Sequence, residues 1–229
     1  MLTKIAEIKP ETLRTQVENH LRGAITSGLL RPGQKLLERE LCESLGVSRA
    51  SLREALRKLE AEKLILQVPH RGPEVARISL DEARELYALR RVLESHVAYE
   101  FTRLATDQEV SRLADTVKRL LIHGKKKSQK GVLSAKADFY SVLFAGAHNG
   151  LIHEILGGLM SRVNMLRGTS LMRPDRLPRS LEEISDLLVH IQQRDAEGAR
   201  KASLKHVLLA ERAALDVLSE QSANQISNA

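Results

Sequence analysis

The sequence predicts a mostly α-helical protein in two parts: an N-terminal part that ends in a small β-hairpin, and an all-α helical bundle. Its 229 residues, 42% of them hydrophobic, are enough for two packed domains. Helical periodicity and helix-capping signals recur along the chain. An aromatic content of only 3% and a charged fraction of 28% also suit a largely helical protein.

The first predicted element is a helix of about four turns between Pro10 and Gly28. Pro10 suits a first helical turn, where its missing N–H would have no partner in any case. The segment repeats an apolar residue at every fourth position, and these residues are Leu13, Val17, Leu21 and Ile25. The repeat places them on one face of the helix.

Two short helices joined by a tight turn are predicted next, within residues 36–62. Gly46 can adopt a left-handed conformation, and Cys42 is a small residue four positions earlier. Leu52 follows six positions after Gly46 at an apolar core position, so the two helices can cross closely. Cys42 is therefore predicted to pack in the interior and to have no redox role. Ser48 suits the N-cap of the second helix.

Arginines repeat along one face of that second helix. Arg49, Arg53 and Arg57 are four residues apart, and Ala50 and Ser51 are short enough to allow close approach to a partner. A planar guanidinium matches the two acceptors of a guanine edge, whereas serine hydroxyls suit phosphate oxygens. We predict that this face enters a DNA major groove and that Arg49 and Arg53 read bases. A merely solvated helix face is the alternative, which the neighbouring turn and hairpin disfavour.

A β-hairpin is predicted after the second helix. Residues 64–68 and 74–78 read as two short strands. Between them lies a tip rich in turn-forming residues and positive charge, made of Pro69, His70, Arg71 and Gly72. Such a tip would lie along a DNA backbone or minor groove. Together with the preceding helices, it predicts a winged helix-turn-helix over residues 1–78, with double-stranded DNA as the partner.

A second domain is predicted from residue 79 to residue 220, followed by a polar tail at 221–229. Ser79 and Glu82 have the spacing of a capping box, and the same signature recurs at 106–109 and 180–183. The segments 121–131, 148–150 and 173–179 read as breaks between helices. The sequence therefore predicts six helices between residues 80 and 219, with Lys125, Lys126 and Lys127 in a solvated loop.

Two stretches of this sequence resemble a known family. LLERELCESLGVSRASLREALRKLE, followed by VPHRGPEV, resembles the DNA-binding domain of the GntR family of bacterial transcription regulators. RRVLESHVA, FYSVLFAGAHNGLI and DAEGARKASLKHV resemble the FCD ligand-binding domain of its FadR branch. The resemblance implies that Gly72 shapes the wing and that DNA is contacted by Arg39, Ser48, Arg49, Ser51 and Arg53. Lys63 stands where the family usually has glycine, so we expect a distorted turn there.

The sequence departs from this family at the metal site that many FCD domains contain. The resemblance implies an aspartate and three histidines, and here these positions read Lys136, Tyr140, Ile184 and His206. A lysine ammonium has no free lone pair, isoleucine has no donor atom and tyrosine is a poor ligand near neutral pH. His148 and His153 are five residues apart and do not share a helical face, so with His190 they do not rebuild a site. We predict no metal and no cofactor.

The same positions suggest an anion site instead. Lys136 would replace the positive charge of the metal and bind an anionic effector such as a carboxylate, with Tyr140 and His206 donating hydrogen bonds. Two further candidates for binding a carboxylate through both guanidinium nitrogens are Arg90, which stands where the resemblance implies an arginine, and Arg162. Surface salt bridges are the alternative role for these two arginines.

The predicted function is sequence-specific regulation of transcription. We expect a dimeric repressor, with an activator as the alternative, that binds a palindromic operator and responds to a small anionic metabolite. The homodimer is implied by the family resemblance. No enzyme motif is recognised in the chain. One alternative is a non-DNA-binding adaptor that uses the winged fold to bind protein. Another is a helical metabolite-binding protein or enzyme with an ancillary winged domain.

Charge and composition indicate the kind of partner and the cellular compartment of the protein. An excess of 36 Lys and Arg over 29 Asp and Glu, a net +7, favours a polyanionic partner. One cysteine cannot form an internal disulfide, and the sequence has neither an apolar run long enough to span a bilayer nor a signal peptide near Met1. We expect a cytoplasmic protein with no membrane partner.

Overall fold

The computed structural model describes residues 12–171, 173 and 175–226. The chain divides between Arg77 and Ile78 into two compact units. Pro10, at which the sequence predicts the first helix to begin, lies outside the described residues, as do the last three residues of the predicted polar tail.

The first unit has three helices and a two-stranded antiparallel sheet within its described residues. They are α1 (Leu13–Thr26), α2 (Glu38–Leu45), α3 (Arg49–Ala61), β1 (Ile65–Val68) and β2 (Gly72–Val75). The strands pair in the register that joins Ile65 to Val75 and Val68 to Gly72. The second strand therefore begins at Gly72, two residues before the predicted start at 74, because Gly72 and Pro73 already pair with β1.

The core of the first unit follows the predicted helical stripes. Helix α1 packs on α3, and the buried apolar residues include Val17, Leu21, Ile25, Leu36, Leu52, Leu56, Leu59, Leu64, Ile65 and Val75. Leu13 is the exception, because it is 53% exposed at the start of α1. Each fully buried leucine contributes about 1.5–3 kcal/mol to folding relative to an exposed one.

The turn between α2 and α3 has the predicted conformation. Gly46 has φ +64° and caps α2 by donating its N–H to the Cys42 carbonyl. The prediction that Cys42 is buried is wrong, since its side chain is half-buried. The reason is that α2 lies at the surface and none of its residues is fully buried.

The turn after α3 keeps its hydrogen bonds although a lysine occupies it. Lys63 has φ +57°, and the flanking bonds join Lys63 N to Glu60 O at 2.8 Å and Leu64 N to Leu59 O at 2.9 Å. The expected distortion of the turn is therefore wrong. The Lys63 backbone conformation is instead energetically unfavourable, because residues with a Cβ are disfavoured in the left-handed region.

The second unit is helical throughout its described residues. It contains α4 (Leu80–Leu104), α5 (Asp107–Lys125), α6 (Gln129–Ala145), α7 (Gly150–Ser170), α8 (Arg176–Gln192) and α9 (Ala196–Ile226). These are the six predicted helices, although α9 continues past 219 into the segment predicted as a polar tail. Ser79 caps α4, and Thr106 with Glu109 forms a complete capping box on α5. Lys125 ends α5, so only Lys126 and Lys127 lie in the loop.

The third predicted capping box, at Ser180 and Glu183, is wrong. Helix α8 begins four residues earlier, at Arg176, so Ser180 lies inside it and is fully buried. Pro178 does not end the helix because it lies in the first turn, where backbone N–H groups have no partner within the helix. This early start places Ser180 in the interior of the second unit and leaves Glu183 half-buried beside it.

Helix α9 packs along α4 and α8, and α5 packs against α6. The second unit has two apolar clusters. The larger includes Phe101, Phe139, Leu143, Ile184 and Leu187, and the smaller includes Tyr87, Leu166 and Val207. Several charged side chains are also buried in this unit, and they form the buried site described below.

Candidate DNA-binding surface and buried polar site

The N-terminus of α3 is capped by a serine pair. The Ser48 hydroxyl accepts a hydrogen bond from the Ser51 backbone N–H at 3.2 Å, and the two hydroxyl oxygens are 3.1 Å apart. Ser48 is exposed and Ser51 is half-buried. Hydroxyls and unpaired amides at a helix N-terminus are suited to bind phosphate oxygens.

The arginine face of α3 points away from the core. Arg49, Arg53 and Arg57 are exposed, whereas the opposite face of the helix is fully buried. Arg39 is exposed on α2. The structure therefore leaves all four arginines accessible to a partner.

Arg53 is held by an acidic residue that the sequence analysis did not identify. Its Nε lies 3.0 and 3.2 Å from the two carboxylate oxygens of Glu38, at the start of α2. An acidic residue in a first helical turn is ordinarily explained by the helix dipole. No sequence signal therefore assigns Glu38 to Arg53.

The hairpin tip presents the predicted wing residues. His70 and Gly72 have positive φ angles of 62° and 85°, and the Arg71 N–H donates to the Val68 carbonyl at 3.0 Å. The Arg71 side chain is 72% exposed, with its Nε 3.5 Å from a Glu74 carboxylate oxygen. The tight backbone thus projects one arginine to the solvent.

Four of the five residues predicted to bind an effector lie in one buried cluster of the second unit. They are Arg90, Lys136, Tyr140 and His206, each with less than 5% of its surface exposed. Arg162 is not part of this cluster, because it forms an ion pair with Glu82 at the start of α4. In the structure Arg162 therefore forms a salt bridge, which is the alternative role given for it above.

The cluster also contains residues that the sequence analysis missed. The additional members are Tyr87, Glu94, Arg167, Arg176, Ser180 and Glu183. Glu94 lies four residues after Arg90 on α4, a spacing that signals a helical ion pair. Nothing comparable marks Arg167 or Arg176 in the sequence.

One half of the cluster is built around Glu94. Its carboxylate accepts a hydrogen bond from Arg90 Nε at 2.6 Å and lies 3.9 Å from Arg167 Nη2. The Arg167 guanidinium stacks 3.7 Å above the Tyr140 ring, and that of Arg90 lies 4.8 Å from the centre of the Tyr87 ring. Guanidinium groups stacked on aromatic rings are fixed in orientation.

The other half is built around Glu183. Arg176 donates to both carboxylate oxygens at 2.9 and 2.7 Å, and His206 Nδ1 lies 2.5 Å from one of them. Lys136 Nζ donates to the Ser180 hydroxyl at 2.6 Å. These contacts join α6, α8 and α9 through polar groups.

Burial and mutual charge set the protonation of the cluster. Burial lowers the pKa of His206 to about 4, which leaves its imidazole neutral. Burial, together with the charges of Arg167 and Arg176, holds the pKa of Lys136 well below its ordinary value. Burial alone would raise the pKa of Glu94, but Arg90 and Arg167 hold it below its ordinary value.

The cluster has more positive charge and more donors than its own acceptors satisfy. Three guanidinium groups share two carboxylates, which leaves one positive charge uncompensated before Lys136 is counted. Several guanidinium atoms have no acceptor among the described residues, namely Arg90 Nη1, Arg167 Nε, Arg167 Nη2 and Arg176 Nε. Buried donors of this kind are costly, and a small anion with several acceptor oxygens suits them.

A surface cleft reaches the cluster through a shared residue. The cleft has a volume of about 480 Å³, and Glu183 is part of its lining. The other lining residues are Arg179, Glu182, Asp186, Ala202, Lys205 and Leu209. Glu183, which binds Arg176 and His206, therefore borders this cleft.

The residues at the family's metal positions do not fit a metal ion. Lys136 is surrounded by guanidinium charges, and Ile184 lies in the apolar core. His148 and His190 have acidic neighbours of their own, Glu109 and Asp195. Across the part of the chain that the structure describes, no three His, Cys, Asp or Glu side chains come together as a metal site.

An arginine-bearing, serine-capped helix beside a hairpin defines a DNA-binding protein of the winged helix-turn-helix class, here followed by a helical domain. Family models agree with both parts. The model for the gntR family of bacterial regulatory proteins matches residues 13–75, and the FCD domain model matches residues 85–209. The chain belongs to the GntR family, whose members are transcription regulators and not enzymes.

Relatives span most of the chain. The HTH-type transcriptional repressor RspR of Escherichia coli (strain K12) is 25% identical over 207 residues, covering 90% of this chain and 91% of the relative. The Uxu operon regulator of Haemophilus influenzae is 30% identical over 213 residues, covering 84% and 78%. The solved structure of E. coli McbR/YncC, 22% identical, has a TM-score of 0.77 over 92% of this chain and 99% of that one. It shows the shared fold.

No helix within the described ranges combines the length and the apolar character needed to cross a membrane.

Proposed function

We propose that this regulator is a dimeric, cytoplasmic repressor that binds a palindromic operator and is controlled by a small carboxylate. The repressor assignment is supported by the relative RspR, which is named a transcriptional repressor. Two copies of a winged unit match the two half-sites of a palindrome. Exposed apolar side chains on the second unit offer surface for subunit contact, and they include Leu89, Val92, Leu151 and Ile155.

The DNA-binding role rests on the capped, arginine-bearing α3. We propose that Arg49 and Arg53 contact bases and that the Ser48 and Ser51 hydroxyls bind phosphate. Arg39 and Arg71 extend the positive surface from α2 and from the wing, where Gly72 forms the turn. The arginines are exposed and α3 is supported by a buried stripe, which suits insertion into a major groove.

The effector role rests on the charge excess of the buried cluster. We propose that the carboxylate of the effector binds the unsatisfied donors of Arg90, Arg167 and Arg176. Tyr140, Lys136 and His206 complete the lining. Arg162 is left out because its partner, Glu82, lies outside the cluster. An anion here would compensate the excess positive charge, so binding would stabilise the second unit.

The DNA-binding proposal is tested by selection of bound fragments from the source genome at near-physiological salt. The wild-type chain is compared with the double variant Arg49→Ala, Arg53→Ala. The matched control is Arg112→Ala, Arg212→Ala, which removes the same charge from exposed positions of the second unit. A short palindrome enriched by wild type and control, but not by the α3 variant, supports the proposal. Equal enrichment by all three would refute it.

The effector proposal is tested with the complex of the protein and the operator that the fragment selection identifies. Small carboxylates are titrated into the complex while DNA release and the melting temperature of the protein are followed. We expect an acid that raises the melting temperature of wild type and has no effect on Arg167→Met. The control Arg200→Met removes an exposed arginine of α9 that pairs with Glu197 and is expected to respond as wild type.

The proposed dimer is tested by measuring the mass of the protein in solution by sedimentation equilibrium.

A further inference from the structure

Lys136 is an unusual member of the buried cluster. Its side chain is buried at the middle of α6, and its Nζ is hydrogen-bonded to the neutral Ser180 hydroxyl. Within the described residues no carboxylate lies at ion-pair distance from it, and both carboxylates of the cluster, Glu94 and Glu183, have arginine partners. The charges that act on the amine most strongly, after burial, are those of Arg167 and Arg176, with Arg90 next.

Such surroundings favour a neutral amine. A lysine that is desolvated and placed beside other cations loses its proton more readily, and its lone pair is then available as a nucleophile. The lowered pKa of Lys136 agrees with this arrangement. The same cations that disfavour an ammonium are those suited to bind a carboxylate.

We propose that Lys136 forms a reversible imine with the carbonyl group of a small oxo acid whose carboxylate binds the surrounding guanidinium groups. This inference rests on the proposed effector site and names its ligand class. The acid would have its carbonyl close to its carboxylate, as in a 2-oxo acid. Arg167 stacks on Tyr140, four residues after Lys136, and Arg176 lies four residues before Ser180, the partner of Lys136.

The reaction needs no further reagent. The Nζ lone pair attacks the carbonyl carbon, the C–O π electrons move to oxygen, and a proton shifts from nitrogen to oxygen to give a carbinolamine. The nitrogen lone pair then forms the C=N bond as the C–O bond breaks, the remaining N–H proton goes to the oxygen, and the oxygen leaves as water. Water reverses each step, and nothing is oxidised or reduced.

Tyr140 is placed to assist this exchange. It lies four residues after Lys136, on the same face of α6. Burial raises the pKa of Tyr140 to about 12, so its hydroxyl keeps its proton near neutral pH. It can therefore donate a hydrogen bond to the departing oxygen. The surface cleft borders the cluster at Glu183.

The test is reductive trapping on the full chain. Pyruvate is the probe, sodium cyanoborohydride reduces any imine, and peptide mass spectrometry locates the product, which adds the mass of pyruvate less one oxygen atom. We expect labelling of Lys136 to exceed that of the exposed Lys130 by at least about tenfold, since each unit of lowered pKa raises the neutral fraction tenfold. Lactate, which has the carboxylate but no carbonyl, is expected to compete.

Two controls keep the outcomes distinct. Lys136→Met, which has no amine, gives the background on the same peptide, and urea-unfolded wild type should lose the preference for Lys136. If lactate raises the melting temperature but pyruvate does not label Lys136, the imine is refuted and the carboxylate site stands. If neither acid binds or labels, both the carboxylate site and the imine are refuted. Equal labelling of folded and unfolded chains would also refute the imine.

Discussion

Arg53 on α3 and Glu38 on α2 are joined by an ion pair in which one guanidinium N–H faces both carboxylate oxygens, at 3.0 and 3.2 Å. Arg53 is 61% exposed and Glu38 28% exposed in their side chains. The pair therefore lies at the surface, on the face that carries Arg49. A DNA base would have to compete with Glu38 for Arg53.

We predict that Glu38→Gln raises affinity for the operator more than affinity for random-sequence DNA, because it frees Arg53 for the base that this arginine is proposed to contact. Exposed ion pairs contribute about 0.2–1 kcal/mol, so the gain should be about 1.5- to 5-fold. Binding is measured by fluorescence anisotropy at fixed salt. Glu40→Gln is the matched control because Glu40 is exposed in the same helical turn. An equal gain in Glu38→Gln and Glu40→Gln would mean that the change in net charge alone explains the higher affinity.

Arg49→Ala is predicted to weaken operator binding by about 1–3 kcal/mol and to relax the preference at one base pair. Ser48→Ala removes a proposed phosphate contact and should weaken binding to all sequences alike. Competition among operators that differ at single positions distinguishes these outcomes. A uniform loss for Arg49→Ala would mean that this arginine contacts only the backbone.

Lys63→Gly is predicted to stabilise the first unit by about 0.5–1 kcal/mol. Glycine removes the Cβ clash at a positive φ, and part of that gain is offset by its larger entropy in the unfolded chain. Urea unfolding followed by hydrogen exchange at α3 amides reports the change. Lys63→Ala keeps the Cβ and should leave stability nearly unchanged. A destabilising glycine would show that the turn tolerates lysine at no cost.

His206 predicts a specific acid sensitivity. Its pKa is about 4 in the folded protein against an ordinary 6.5. Between these values the unfolded chain binds a proton that the folded chain does not, so the free energy of unfolding falls as the pH falls through this window. The loss attributable to His206 is about 3 kcal/mol.

The measurement is urea unfolding of wild type and His206→Gln at about pH 7 and at about pH 4. Glutamine can still donate to Glu183 but does not titrate. We expect wild type to lose more stability than the variant over this range. A wild type that loses less would mean that the Glu183 carboxylate keeps the imidazole charged.

Glu94→Gln is predicted to destabilise the second unit by about 3–5 kcal/mol, because it leaves buried guanidinium groups without their carboxylate. The control is Glu100→Gln on the same helix. Glu100 pairs with Arg103, which is half exposed, so losing this ion pair should cost less than about 1 kcal/mol. Thermal unfolding distinguishes the two. An added carboxylate should restore part of the stability lost in Glu94→Gln.

Local signals explain why the fold was predictable. Gly46, the Ser48 cap and the stripe through Leu52 mark the helix-turn-helix by short-range rules, and Thr106 with Glu109 marks α5 in the same way. The early start of α8 was not predictable, because Pro178 and its polar neighbours read as a break. Only packing of the second unit shows that Ser180 is interior.

The buried cluster was predictable only in part. Arg90, Lys136, Tyr140 and His206 were found through family positions, and the structure brings all four together. Arg167 comes from α7, a helix without a local signal that separates inward from outward arginines. Sequence spacing describes neighbours on one helix, whereas this cluster depends on contacts among several helices.

The hydrogen bond from Lys136 to Ser180 ties α6 to α8. A ligand that takes the Lys136 amine must take it from Ser180, so occupancy of the site and the tie between these helices exclude each other. The fully buried Ser180 hydroxyl then loses its hydrogen-bond partner. Rotation of α8 would become favourable if it gave this hydroxyl a new partner. A signal from the cluster would in this way begin as a change of partner at one serine, before any larger movement.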